Sequence, residues 1–146
     1  MDHDNYTDED IRRILTDTTT IALVGASPNS ARPSHGVMSF LLSKGYKVFP
    51  VNPGHEGKEI LGQKVYAKLA DIPEPVDMVD VFRASEHLSS VMEEVIHMSP
   101  RPKVVWAQLG VKDYDAAAKG EHYGVEVIMD RCPACLLYTS PSPRDR

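Results

Sequence analysis

The residues Gly25-Ala26-Ser27-Pro28-Asn29-Ser30-Ala31-Arg32-Pro33-Ser34 hold the most concentrated potential for chemistry in this chain. They follow an apolar, β-branched run and precede apolar residues at helical spacing, so they read as a loop joining a strand to a helix. A helix N-terminus presents unsatisfied N–H groups and the positive end of the helix dipole, and both suit a phosphate. Small residues at Gly25 and Ala26 allow the backbone to approach an anion closely. Ser27 and Ser34 can add hydroxyl donors, and Arg32 can make a bidentate contact. The same residues also describe a tight connection with a solvated arginine, so the loop by itself leaves both readings open.

What is missing narrows the ligand. A dinucleotide loop reads G-x-G-x-x-G and is followed by an acid at the end of the second strand, which holds the ribose hydroxyls. Here Gly25 stands alone, Ser27 and Ser30 occupy the later glycine positions, and Asn52-Pro53 ends the second strand. A carboxylate there would repel a phosphorylated ribose, whereas Asn52, with Lys58 a few residues on, would not. NAD is disfavoured and a ribose 3′-phosphate is permitted.

Other reactive types are sparse. Cys132 and Cys135 are spaced C-x-x-C, but a zinc site needs about two more ligands and no second pair stands nearby. The six histidines, His3, His35, His55, His87, His97 and His122, are scattered, with no H-E-x-x-H and no nucleophile elbow. His35 reads as a helix-start residue, and His87 and His97 as exposed positions on a helix. Asp130-Arg131 could pair to order a crevice, and Trp106, inside an apolar strand, reads as core. No catalytic residue and no metal ligand is assigned.

The elements that must position the loop follow from periodicity. Residues 7–17 predict a leading helix capped by Thr7, with Ile11, Ile14 and Leu15 on one face. Main strands are predicted at 20–26, 47–52, 77–82, 103–109 and 126–130, Pro50 making the second irregular or partly unpaired. A minor strand and one helical turn fall within 64–72. Helices are predicted from Ser34 to Gly45, over 86–98 and over 113–123, the last capped by Asp113. The alternation implies an α/β fold: one Rossmann-like, doubly wound parallel sheet of about five strands in a single domain. Its crevice is expected where the strand order reverses, at the ends of the first and fourth strands. The domain is expected over 1–133, and 134–146, ending SPSPRDR, has the composition of a disordered or non-native tail.

Net charge is −5, so the broad basic footprint of a nucleic-acid binder is missing and any anion site must be local. No apolar run approaches the ~20 residues that cross a bilayer, and the acidic N-terminus lacks the features of a signal or transit peptide. A cytoplasmic location, without membrane partners, is the default expectation.

Taken together, VGASPNSARPS (24–34), VFPVNP (48–53), VDVFR (79–83 with its flank), VWAQLGV (105–111) and MDRCP (129–133) resemble the stand-alone CoA-binding domain proteins related to the CoA-binding domain of the succinyl-CoA synthetase α-subunit. The resemblance spans about residues 8–133. It implies a Rossmann-like fold with coenzyme A as cofactor. It assigns Gly25, Ala26, Ser27, Arg32 and Ser34 to the pyrophosphate, Asn52, Pro53 and Arg83 to the nucleoside side, and Gln108 and Gly110 to the pantetheine; Lys58 joins them from the charge argument above. The stretch after Pro133 departs from the family. The synthetases transfer phosphate through a histidine on a separate domain together with a grasp-type subunit, and neither is found within these residues. The expectation is therefore a module that binds CoA or acyl-CoA without turnover of its own, such as a carrier, a sensor, a homodimer or the partner of an acyl-CoA enzyme. The alternative is an NAD(H)-binding oxidoreductase or redox-sensing module.

Overall fold

Aliphatic runs bounded by turn formers become the central strands, because a strand covered on both faces has no solvent side and needs no polar alternation. A computed structural model describes residue 3 and residues 6–131. In chain order its elements are α1 (Asp8–Asp17), β1 (Thr20–Val24), α2 (Pro33–Ser43), β2 (Lys47–Val51), β3 (Glu59–Ile60), β4 (Gln63–Lys64), β5 (Met78–Val81), α3 (Leu88–Ile96), β6 (Val104–Ala107), α4 (Tyr114–His122) and β7 (Glu126–Ile128). Single 3-10 turns stand at Pro53–His55, Leu69–Asp71 and Ser85–His87. Five strands form one parallel sheet in the order β2-β1-β5-β6-β7, a Rossmann-like α/β architecture.

Successive side chains of a strand point to opposite faces, and the sheet is packed accordingly. Ala22, Val24, Val79, Val81, Val105, Ala107 and Val127 share a core with α3 and α4. Ile21, Leu23, Met78, Val104, Trp106 and Ile128 share the other with α1 and α2. Trp106 is fully buried, as its strand position predicts, and its Nε1 donates to the Arg131 carbonyl at 3.0 Å. The helix signals hold locally as well. The Thr7 hydroxyl accepts the Asp10 N–H at 3.1 Å, and Asp113 accepts the N–H groups of Asp115 and Ala116.

Three expectations change. The strand order reverses between β1 and β5, the first and third main strands, and not between the first and fourth. The segment after β2 returns along that strand's outer edge, where Tyr66 bridges Val51, and so occupies the place a third strand would take. Pro50 does not make β2 irregular, for Lys47 to Val51 pair in register with β1. The Pro50 carbonyl accepts the Tyr66 N–H on the outer edge, so its nitrogen faces that edge too and removes no donor from the β1 ladder. A small hairpin of β3 and β4 begins earlier than the minor strand predicted at 64–72. Two-residue strands carry no periodic signal, and the turn rests on positive φ at Leu61 (50°) and Gly62 (80°).

Among the described residues no helix is long and apolar enough to cross a membrane. Cys132, Cys135 and the predicted tail lie outside the described residues.

Candidate functional site

At the end of β1 the chain turns on Gly25, whose φ is +88°. Its N–H donates to the Val51 carbonyl at 3.0 Å, and the end of β5 presses against its other side. A Cβ here would stand 2.4 Å from the Phe82 carbonyl oxygen and 3.2 Å from Arg83 Cδ, so only glycine fits. The rest of the loop is held by short local bonds. Ser27 Oγ accepts the Asn29 N–H at 3.1 Å, Asn29 Oδ1 accepts the Ala31 N–H at 2.9 Å, and the Asn29 carbonyl accepts the Arg32 N–H at 3.0 Å. Helix α2 then starts at Pro33 with Arg32 as cap residue and no side-chain acceptor on its first turn. That helix end is therefore left open to an outside acceptor.

Neighbouring strand ends complete the walls. Asn52 Nδ2 donates to the Ala26 carbonyl at 2.8 Å, and its Oδ1 accepts the Gly54 N–H at 2.9 Å. Both ends of this amide thus tie the β1 loop to the β2 loop, a bracing role that sequence spacing does not reveal. Beyond β6, the Gly110 N–H donates to Asp130 Oδ1 at 2.6 Å, and Ser85 Oγ bridges the Gly110 carbonyl and the Lys112 N–H. Asp130 and Arg131 work through the backbone: the Arg131 guanidinium donates to the Asp130 carbonyl and lies 4.9 Å from the Tyr6 ring centre.

These strand ends enclose a cleft of about 910 Å³. Of the predicted residues, Gly25, Ser27, Arg32, Ser34, Asn52, Pro53, Arg83, Gln108 and Gly110 line it. Ala26 is buried beneath the loop, and Lys58 is exposed outside the lining. His35, the histidine next to the loop in sequence, is not part of the lining, whereas His55 is. Its Nδ1 is buried and without a hydrogen-bond partner among the described residues. Val37, Phe82, Leu109 and Val111 give the cleft an apolar portion that the sequence analysis missed. They belong to runs that read simply as core or strand, and Leu109 is 65% exposed.

The lining contains two arginines and no carboxylate, in a chain of net charge −5. Among the described residues neither Arg32 nor Arg83 has a side-chain hydrogen bond or ion pair. Besides Asp130, which holds the Gly110 N–H, a second acid stands just behind the wall. Asp80, fully buried on β5, accepts the Gln108 Nε2 hydrogen bond at 2.6 Å through Oδ1, while its Oδ2 has no partner among the described residues. Burial pushes the Asp80 carboxyl up to about 7, the Gln108 hydrogen bond only partly opposing this. The sequence signal, a lone acid within the apolar run VDVF, was visible but read as strand.

A sequence model of the CoA binding domain family matches residues 19–138. The chain is 38% identical over 128 residues to the uncharacterized protein YneT of Bacillus subtilis, covering 88% of this chain and 92% of that one. It is 26% identical to acetate–CoA ligase (ADP-forming) II of Archaeoglobus fulgidus, covering 84% of this chain but 18% of the ligase. Among solved structures, a hypothetical protein from Pyrococcus horikoshii superposes with a TM-score of 0.87 at 40% identity, covering 93% of each chain. A Thermus thermophilus protein superposes with a TM-score of 0.86 at 36% identity, covering 92% of this chain and 98% of its own.

Proposed function

The chain belongs to the CoA binding domain family, and on that premise we propose that it binds coenzyme A or acyl-CoA in the cleft at the carboxyl ends of its strands. The pyrophosphate sits on the loop from Gly25 to Ser34 and the open first turn of α2, with Arg32 as its counter-charge. The nucleoside lies along Pro53 and Arg83, on the side that Asn52 braces, and the pantetheine runs over Gln108 and Gly110. Ala26 supports the loop from below, and Lys58 adds only long-range charge. The observation that carries this reading is the pair of arginines, unpartnered among the described residues, in a carboxylate-free cleft of an otherwise acidic chain. Unpaired cations around an open helix end call for a polyanion. The fit extends to the backbone, since the bare Gly25 lets the β1 end close against the Phe82 carbonyl and so fixes the loop beside the end of β5.

The module acts by binding and carries no turnover of its own, serving as a carrier or sensor, as a homodimer, or as the partner of an enzyme that uses acyl-CoA, in the cytoplasm. Its match to the ADP-forming ligase covers a small part of that enzyme, so the ligase activity is not transferred to it. Calorimetric titration with CoA, 3′-dephospho-CoA and NAD tests the proposal. The expected order of affinity is CoA, then 3′-dephospho-CoA, then NAD. Tighter binding of NAD than of CoA overturns the proposal in favour of a dinucleotide module, and equal affinity for CoA and 3′-dephospho-CoA shows that the 3′-phosphate is not read.

A further inference from the structure

Asp80 is costly where it stands. It is fully buried on a central strand, in register with Leu23 of β1 and Trp106 of β6, and one of its oxygens has no partner among the described residues. A half-satisfied buried carboxylate lowers the stability of a fold, and an asparagine of the same shape would fill the space without the charge. What a carboxylate does that an amide cannot is dictate polarity. When ionised it offers lone pairs only, so a neighbouring amide must turn its NH2 toward it. That neighbour is Gln108, whose Nε2 lies 2.6 Å from Asp80 Oδ1 and which itself lines the cleft. With the NH2 end bound to Asp80, the carbonyl oxygen is the end left for the cleft.

We infer that Asp80 is a positioning residue that locks the Gln108 amide with its carbonyl oxygen toward the cleft, making Gln108 an acceptor for an N–H of a secondary amide in the ligand. This rests on the CoA reading. The phosphates of CoA are acceptors and cannot use such a group, whereas its pantetheine arm carries two amide N–H donors. The sheet order supports the same division: Gln108 ends β6, two strands from the β1 loop and on the side away from β2.

The test uses the full chain at pH 8, with CoA and its nucleotide half, 3′-phospho-ADP, as probes. Asp80→Asn can donate as well as accept, so it releases the lock. It should weaken CoA about three- to tenfold while leaving 3′-phospho-ADP within twofold. Gln108→Met should do the same, and the double variant should bind no more weakly than Gln108→Met alone, because Asp80 acts through Gln108. In the free protein the Gln108 side-chain NH2 resonance, identified by its loss in Gln108→Met, should shift on Asp80→Asn. In the wild type, without any change at Asp80, CoA should shift that resonance and 3′-phospho-ADP should not. The inference is overturned if Asp80→Asn binds CoA like wild type, if it weakens both probes equally, if the two substitutions add, or if the wild-type resonance ignores CoA. Failure of the wild type to bind either probe overturns the CoA reading instead, and the resonance shift in the free protein still reports whether Asp80 orients Gln108.

Discussion

The two ends of the central sheet each carry a cavity, and they differ in what their charges do. At the amino ends of β5 and β6 a cavity of about 590 Å³ is bordered by Lys68, Glu74, Glu93, Glu94 and His97. Two of its acids already have partners: Glu74 pairs with Lys47 at 2.8 Å, and Glu93 pairs with Lys119. At the carboxyl ends the cleft of about 910 Å³ leaves Arg32 and Arg83 unpaired among the described residues. Both are sizeable hollows, so volume does not separate them. The sign of the free charge does: the carboxyl-end lining holds unpaired cations and no carboxylate, whereas the amino-end lining carries three acids, two of them already neutralised, and so offers little to an incoming anion.

The largest expected effect strikes the carboxyl end through the backbone. Gly25→Ala must relieve a contact with the Phe82 carbonyl and hold a positive φ, at a cost of about 3–4 kcal/mol in urea unfolding together with loss of CoA binding. A fully stable Ala variant would mean that the β1 and β5 ends part easily and that this end is no more constrained than the other.

Asp80→Asn should act in the opposite sense on stability. A carboxyl raised to about 7 keeps its proton more firmly folded than unfolded, so folding stability falls as pH rises from about 4 to about 7, and the full penalty is present above that. The Asn variant should therefore exceed the parent by about 2–3 kcal/mol at pH 8, the gap narrowing toward pH 4. Urea melts across that range check this, and a gap that does not change with pH would remove Asp80 as its source.

Arg32→Ala isolates the charge itself. CoA affinity should fall by about 1.5–3 kcal/mol, with stability changed by less than about 0.5 kcal/mol because the side chain is exposed and, among the described residues, unpaired. Arg32→Lys should recover only part of the loss, and added salt should weaken the wild type more than the Ala variant. If calorimetry finds Arg32→Ala equal to wild type, the two ends no longer differ in the way described.

The smallest effect belongs to the amino end. Glu74→Ala breaks a half-exposed pair and should cost under about 1 kcal/mol, with CoA affinity unchanged. A clear loss of affinity would show that the amino-end cavity contributes to binding.

Much of this protein was legible from local rules. Continuous aliphatic runs placed all five main strands, Thr7 and Asp113 marked helix starts by their short oxygen side chains, and the small and polar residues from Gly25 to Ser34 marked the loop that lines the cleft. Such features depend on neighbours a few residues apart, which is why sequence alone determined them. Strand order, the bracing role of Asn52 and the joining of Asp80 to Gln108 were decided elsewhere. They follow from which strands lie side by side, and Asp80 meets a residue 28 positions away because β5 and β6 pair in the sheet. In sequence Asp80 is one acid in an apolar run. Only tertiary structure, by removing it from water beside a single amide, gives it a raised affinity for its proton and a direction to impose on Gln108.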